Sequence, residues 1–195
     1  MLEHHSNCFL APKDIEMIDS YCLAGKAEFK KLLGKGHASI VFLVLKNKKK
    51  TAVKIKRKKS FRDNLEKEFK MLKKLNKRNI GPRICNFSKK FNAFSMEFID
   101  GIPLRDFLKT EKNQEKIQLV FKRILSQAKK LDELKITHKQ LGGKLTNILV
   151  SKNLKITIID FEKAIENSKK EKNVNQFKGR LYSLEIGNKI KLIGD

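Results

Sequence analysis

The balance of apolar patterns in this chain shifts at one break, and that shift constrains its architecture more than any single residue does. Between Phe29 and Phe98 short strand-like runs rich in Val, Ile and Phe dominate, with one helical stretch among them; after Pro103 helical spacing dominates. Ile40-Val41-Phe42-Leu43-Val44-Leu45 reads as a strand, Lys46 to Lys50 as a polar turn, and Thr51-Ala52-Val53-Lys54-Ile55 as the other arm of a hairpin. Phe61 to Leu75 carries apolar residues at 61, 65, 69, 72 and 75, which predicts a helix. Ile84 to Phe87 and Phe91 to Phe98 are strand candidates joined by a Ser-Lys-Lys turn. Asp100-Gly101-Ile102-Pro103 interrupts the pattern and marks a lobe boundary. Beyond it Ile117, Val120, Phe121, Ile124, Leu125, Ala128, Leu131 and Leu134 line one helix face. Gly142-Gly143 reads as a loop, Ile148 to Val150 and Lys155 to Ile159 as short strands, and the tail from Asp160 as partly helical.

Strands first and helices after predict an α+β chain of two lobes. Residues 1–26 read as a leader with a short helix around Asp14 to Leu23, residues 27–99 as a small antiparallel β lobe with one helix, and residues 100–195 as a reduced helical lobe.

Composition limits the cellular setting and the partners. No apolar run approaches the roughly 20 residues of a membrane span, and Met1 to Asp19 has no apolar stretch behind a basic start. Cys8, Cys22 and Cys85 are too few and too scattered for a disulfide framework or a metal cluster. A cytoplasmic protein without membrane insertion is expected. With 45 Lys+Arg against 21 Asp+Glu the net charge is +24, a field that attracts nucleic acid, nucleotide phosphates, anionic membrane or acidic protein.

Several residues carry chemistry in common. Gly34-Lys35-Gly36-His37-Ala38-Ser39 opens a strand, and its glycines allow the backbone to approach phosphate oxygens. It is neither a P-loop nor a dinucleotide fingerprint, since no helix follows it. Lys54 lies in the apolar partner strand and must either snorkel to solvent or meet an anion. Glu68 shares the helix side of Leu72 and Leu75 and is the preferred partner; Glu66 competes. Read alone, the glycines suit an ordinary tight turn, and Asn147 and Asp160 a turn or cap.

Taken in order, these features resemble the protein-kinase family, whose members share a Gly-rich loop, a Val-Ala-x-Lys strand, a helix Glu and an adenine-binding hinge. Ser95-Met96-Glu97-Phe98-Ile99-Asp100-Gly101 resembles the hinge, with Met96 in the gatekeeper place, and Asn79-Ile80-Gly81-Pro82 the turn leaving the helix. Thr137-His138-Lys139-Gln140-Leu141 with Asn147-Ile148-Leu149-Val150 resembles the catalytic loop and its following strand, and Ile158-Ile159-Asp160-Phe161-Glu162 the metal-binding Asp-Phe-Gly segment. The resemblance implies a two-lobed minimal protein-kinase-like fold that binds ATP and Mg²⁺. It implies nucleotide contacts from Gly34, Lys35, Gly36, Ser39, Val41, Ala52, Lys54, Met96, Glu97 and Phe98, with the last two contributing backbone groups. Lys54, Glu68, Gln140, Asn147 and Asp160 become the catalytic set, and Asn147 and Asp160 the Mg²⁺ ligands.

The chain departs from the family in three respects. His138-Lys139-Gln140 stands where the family has His-Arg-Asp, and neutral Gln is no base. Six residues separate Gln140 from Asn147, where the common pattern has four; realignment from Asn147 brings Gly142 to the base position. Glu162 reads first as a surface or helix-start carboxylate, with an alternative base or metal ligand as the competing role, and Lys139 or Lys144 reads as a stabiliser of transferring charge. The third departure is brevity: 33 residues follow Glu162, without Ala-Pro-Glu. In this the chain resembles the minimal archaeal-type predicted serine/threonine kinases and shares its shortness with the RIO family. Val174, Phe177, Leu181, Leu184 and Ile186 are expected to form a closing helix. Three functions follow: an atypical serine/threonine protein kinase acting on an acidic protein substrate, a macromolecular complex or itself; an ATP/Mg-binding pseudokinase for regulation or assembly; or a basic nucleic-acid- or ribosome-associated factor.

Overall fold

The computed structural model describes residues 10–57, 65–143, 145–167 and 172–183. The chain divides into two compact units, one of residues 1–76 and 82–98 and one of 77–81 and 99–195.

The first unit is an antiparallel sheet flanked by two helices. Helix α1 (Pro12–Gly25) precedes β1 (Glu28–Lys35), β2 (Ser39–Lys46) and β3 (Lys49–Lys56); helix α2 (Glu66–Asn76) leads to β4 (Ile84–Ser88) and β5 (Ala93–Glu97). The sheet order is β1-β2-β3-β5-β4. The predicted hairpin is present, and its turn is tighter than the polar run suggested. Lys46 pairs with Lys49, leaving Asn47 and Lys48 as a two-residue turn with left-handed φ values of 49° and 60°, the geometry that matches strand twist. Of the predicted helix, Glu66–Asn76 is α2; Phe61 lies outside the described residues.

Period-two alternation divides the sheet into two faces. Ile40, Phe42, Val44, Val53, Ile55 and Ala93 form one, and Met17, Ile18 and Cys22 of α1 share their core. Tyr21 meets Phe42 and Phe91 edge-on, at 5.9 and 5.4 Å. The helix in the stretch read as a leader is therefore built into the sheet's packing. Pro12 opens α1, and Lys26 closes it in a left-handed cap, its N–H directed to the Cys22 and Leu23 carbonyls. Burial pushes the Cys22 thiol up to about 11, so it stays protonated. Cys22 and Cys85 are both free thiols.

The second unit contains β6 (Gly101–Pro103), α3 (Leu104–Thr110), α4 (Gln114–Glu133), β7 (Ile148–Ser151), β8 (Ile156–Ile158) and α5 (Asn173–Ser183). Its three strands run in the order β6-β7-β8. The Asp100-to-Pro103 segment was read only as a break; Gly101 to Pro103 in fact pairs with Ser151 to Leu149. A β-carbon on Gly101 would lie 2.8 Å from the Val150 carbonyl oxygen, so that close approach requires glycine. Asn113 caps α4, its side chain accepting from the Lys116 N–H at 3.0 Å. The predicted apolar face of α4 is buried at Ile117, Val120, Phe121, Ile124, Ala128 and Leu131. Helix α5 carries the predicted Val174, Phe177 and Leu181, and Phe177 meets Phe121 edge-on at 5.9 Å. Leu184 and Ile186 lie outside the described residues.

Candidate nucleotide site and catalytic loop

The second sheet face of the first unit gathers the nucleotide candidates. Val41 stands opposite Lys54, and Ala52 opposite Met96. Lys54 and Ala52 are two residues apart in β3, so alternation brings all four to one face. Gly34 pairs with Val41 and extends the row into β1. The same alternation that buries Val53 and Ile55 against α1 therefore turns Lys54 the other way.

On that face Lys54 meets helix α2. Its Nζ lies 2.7 Å from Glu68 Oε2 and 3.0 Å from Oε1, with the two side chains only 6% and 4% exposed. Glu66, the competing carboxylate, pairs instead with Lys70 one turn along, at 2.9 Å. Phe69 fixes the helix by packing on Phe87 and Phe94, at 5.4 and 6.0 Å. Removing two charges from water costs several kcal/mol per ion, and an apolar pair would often hold the helix as well. Stability alone therefore gives no reason for this pair; a buried cation fixed by a carboxylate fits a site for an anionic ligand.

The Gly-rich segment straddles the end of β1 and the start of β2. A β-carbon on Gly34 would meet nothing within 4 Å, and its φ is not left-handed. Neither packing nor backbone strain requires glycine there, and the open space suits close approach of a phosphate-bearing ligand. Gly36 N–H donates to the Ser39 carbonyl at 2.9 Å, closing the turn. Lys35 is exposed and Ser39 buried. In the hinge segment the Glu97 N–H donates to the Arg83 carbonyl at 2.7 Å. That donor is already used within the sheet.

In the second unit, strand pairing unites residues distant in sequence. Ile148 faces Ile158, and the Ile159 N–H donates to the Asn147 carbonyl at 2.9 Å. Asn147 and Asp160 therefore flank the same end of the β7–β8 pair. An amide and a carboxylate oxygen are the hard donors that Mg²⁺ takes, completed by phosphate oxygens and water. Among the described residues no group of three or more His, Cys, Asp or Glu forms a metal cluster. Asp160 has φ 65°, a left-handed conformation uncommon for a residue other than glycine.

His138 ties this end to the loop of residues 138–141. It is fully buried, with Nε2 3.0 Å from the Ile159 carbonyl oxygen and Nδ1 accepting from the Gln140 N–H at 3.3 Å. Nε2 therefore carries the proton and donates it. The ring stands edge-on to Phe161 at 4.8 Å. Burial holds the imidazole below its ordinary range, against the opposing effects of the Ile159 bond and the Asp160 charge. Lys139, at φ 66°, turns the chain sharply between His138 and Gln140. Gln140 Oε1 is buried without a hydrogen-bond partner among the described residues.

Gly142 has a different origin. A β-carbon there would lie 2.5 Å from the Gln176 carbonyl oxygen of α5, so this glycine lets the loop press on the helix.

Sequence reasoning missed two positioning residues. Buried Asn173 accepts the His138 N–H on Oδ1 at 2.9 Å, and its amide donates to the Ile136 carbonyl at 2.7 Å. Asp132, from the end of α4, accepts the N–H groups of Lys172, Asn173 and Val174 at 3.0 to 3.1 Å. A carboxylate thus caps the N-terminus of α5, where the helix dipole favours negative charge. The only local signal was an Asn at a helix start.

No curated protein matches the chain. The family model of the protein kinase domain matches residues 27–183. With the lysine–glutamate pair in one unit and the His138 loop beside the β7–β8 end in the other, the chain belongs to the protein kinase domain family.

Proposed function

We propose that the chain is an atypical ATP-dependent serine/threonine protein kinase that phosphorylates a protein hydroxyl, its own included. The observation that carries this reading is the buried Lys54–Glu68 pair on the Val41, Ala52 and Met96 face. When bound, Mg²⁺·ATP supplies the phosphoryl group and neutralises its charge. Lys54, held by Glu68, offers a fixed cation to the phosphates; Asn147 and Asp160 are suited to hold the metal. The Gln140 side chain, standing in the place of the family's base, orients the incoming hydroxyl. As a neutral amide it takes no proton; as the hydroxyl oxygen bonds the γ-phosphorus and the bond to ADP breaks, the hydroxyl proton passes to solvent or to a phosphate oxygen. Phosphoryl transfer depends mostly on positioning and charge, so a missing carboxylate slows it without abolishing it.

Incubation with Mg²⁺ and γ-labelled ATP should label the wild type and leave Asp160→Ala unlabelled. Equal label in both proteins would overturn the reading. The absence of a carboxylate at Gln140 favours a second reading, an ATP-binding pseudokinase serving regulation or assembly. That reading expects ATP to raise the melting temperature with no transfer of label. A wild type whose melting temperature ignores ATP and ADP would exclude both. The charge of +24 supports an acidic protein, nucleic acid or ribosome as macromolecular partner of either form.

A further inference from the structure

Helix α1 reaches the Gly-rich loop through one buried carboxylate. Asp14 is 5% exposed, and a buried charge of this kind must be paired. Its partner is Arg57, just past the end of β3. Arg57 Nη2 lies 2.8 Å from Asp14 Oδ2 and Nε 3.3 Å from Oδ1, a fork-on-carboxylate arrangement. The remaining arm of the guanidinium, Nη1, donates to the Gly36 carbonyl at 3.2 Å. The Arg57 backbone N–H donates to the Ala38 carbonyl at 2.9 Å. One residue thus holds two carbonyls of the loop, and α1 holds that residue.

The guanidinium is planar and rigid, so once Asp14 fixes two of its nitrogens the third has little freedom. A planar trans peptide then carries the restraint onward. With the Gly36 carbonyl held by Arg57, the N–H of His37 in the same peptide must point to the opposite side. Gly36, a glycine between the two strands, has wide conformational freedom and much to lose on ordering. Holding it before a ligand arrives removes part of the ordering cost from binding.

We propose that Asp14 and Arg57 are positioning residues: through them helix α1 presets the Gly36 peptide of the loop for a nucleotide phosphate. The proposal rests on the ATP-binding reading above. It makes α1 a working part of the nucleotide site rather than a cover for the sheet. Neither residue touches the ligand in this account.

The test compares wild type, Asp14→Asn, Arg57→Lys and Ile18→Val. The last trims a fully buried α1 side chain in the sheet's core cluster without touching the clamp. Affinity for Mg²⁺·ATP is measured by calorimetric titration, amide exchange over residues 34–39 without nucleotide, and melting temperature for each protein. Asp14→Asn and Arg57→Lys should each weaken ATP binding about fivefold or more, the lower range of site-to-site coupling. Both should speed exchange in the loop. Ile18→Val should lower the melting temperature with affinity and loop exchange unchanged. If all three variants lose affinity in step with melting temperature, α1 matters only for stability and the clamp is overturned. If Asp14→Asn binds ATP more tightly, Asp14 restrains a phosphate-seeking Arg57 and the clamp is equally wrong. A wild type that binds ATP while the clamp variants bind it equally well overturns only this inference. A wild type that does not bind ATP overturns the reading beneath it.

Discussion

At the scale of single residues, buried charge is the most informative feature. Glu68→Gln removes the carboxylate paired with the buried Lys54 ammonium, and we expect a loss of about 3–5 kcal/mol in denaturant unfolding. The double variant Lys54→Met/Glu68→Leu should recover most of that stability, and nucleotide binding should remain absent. Recovery of both would mean that the pair serves packing alone. His138 provides a pH test. Its folded-state value lies below the ordinary value of about 6.5 because burial disfavours the imidazolium. Between that lowered value and about 6.5 the unfolded chain binds a proton that the folded chain does not. The stability from neutral His138 is therefore complete above about pH 6.5 and is lost as pH falls through this window. Denaturant midpoints at pH 5 and 7.5 should show the loss. His138→Phe, which keeps a ring against Phe161, should abolish that part of the slope despite a lower starting stability.

At the scale of elements, helix α5 is held by groups outside it. Asp132→Ala removes the acceptor for three backbone N–H groups at its start. A cost near the upper range of cap losses, about 2 kcal/mol, should appear in chemical denaturation. Exchange of the His138 amide should speed up as well, because Asn173 loses its anchor; unchanged protection there would separate the α5 cap from the catalytic loop. Elements with a period of their own were legible in the sequence. The β2–β3 hairpin and the buried stripe of α4 follow from alternation and from three-to-four spacing. Strand β6 was not, because three residues carry no period and its partner β7 lies far along the chain. Nor did the short helix read around Asp14 to Leu23 show which sheet face it would cover.

At the scale of the whole molecule, charge is the dominant property. Glu68, Asp14 and Asp132 are occupied inside the fold, which leaves a large basic excess in a chain of +24. Binding to a double-stranded RNA should therefore weaken linearly in log–log form with salt, by orders of magnitude between about 50 and 200 mM. Filter binding across that range measures the slope, and a flat response would show that the lysines do not act as a polyanion site. No described helix is long and apolar enough to cross a membrane.

The sequence by itself determined the two-part architecture, the hairpin that carries Lys54, and the order of motifs that resembles a protein kinase. These are local quantities: a period, a turn, a spacing between neighbours. Helix phase already preferred Glu68 over Glu66 as the partner of Lys54, and the tertiary structure shows that pair; only the tertiary structure decided that Gly142 is a packing glycine. It alone joined Asp132 and Asn173 to His138, and Asp14 and Arg57 to Gly36. Each of these depends on chain segments far apart in sequence meeting in space, and no local period records where a distant carboxylate will arrive.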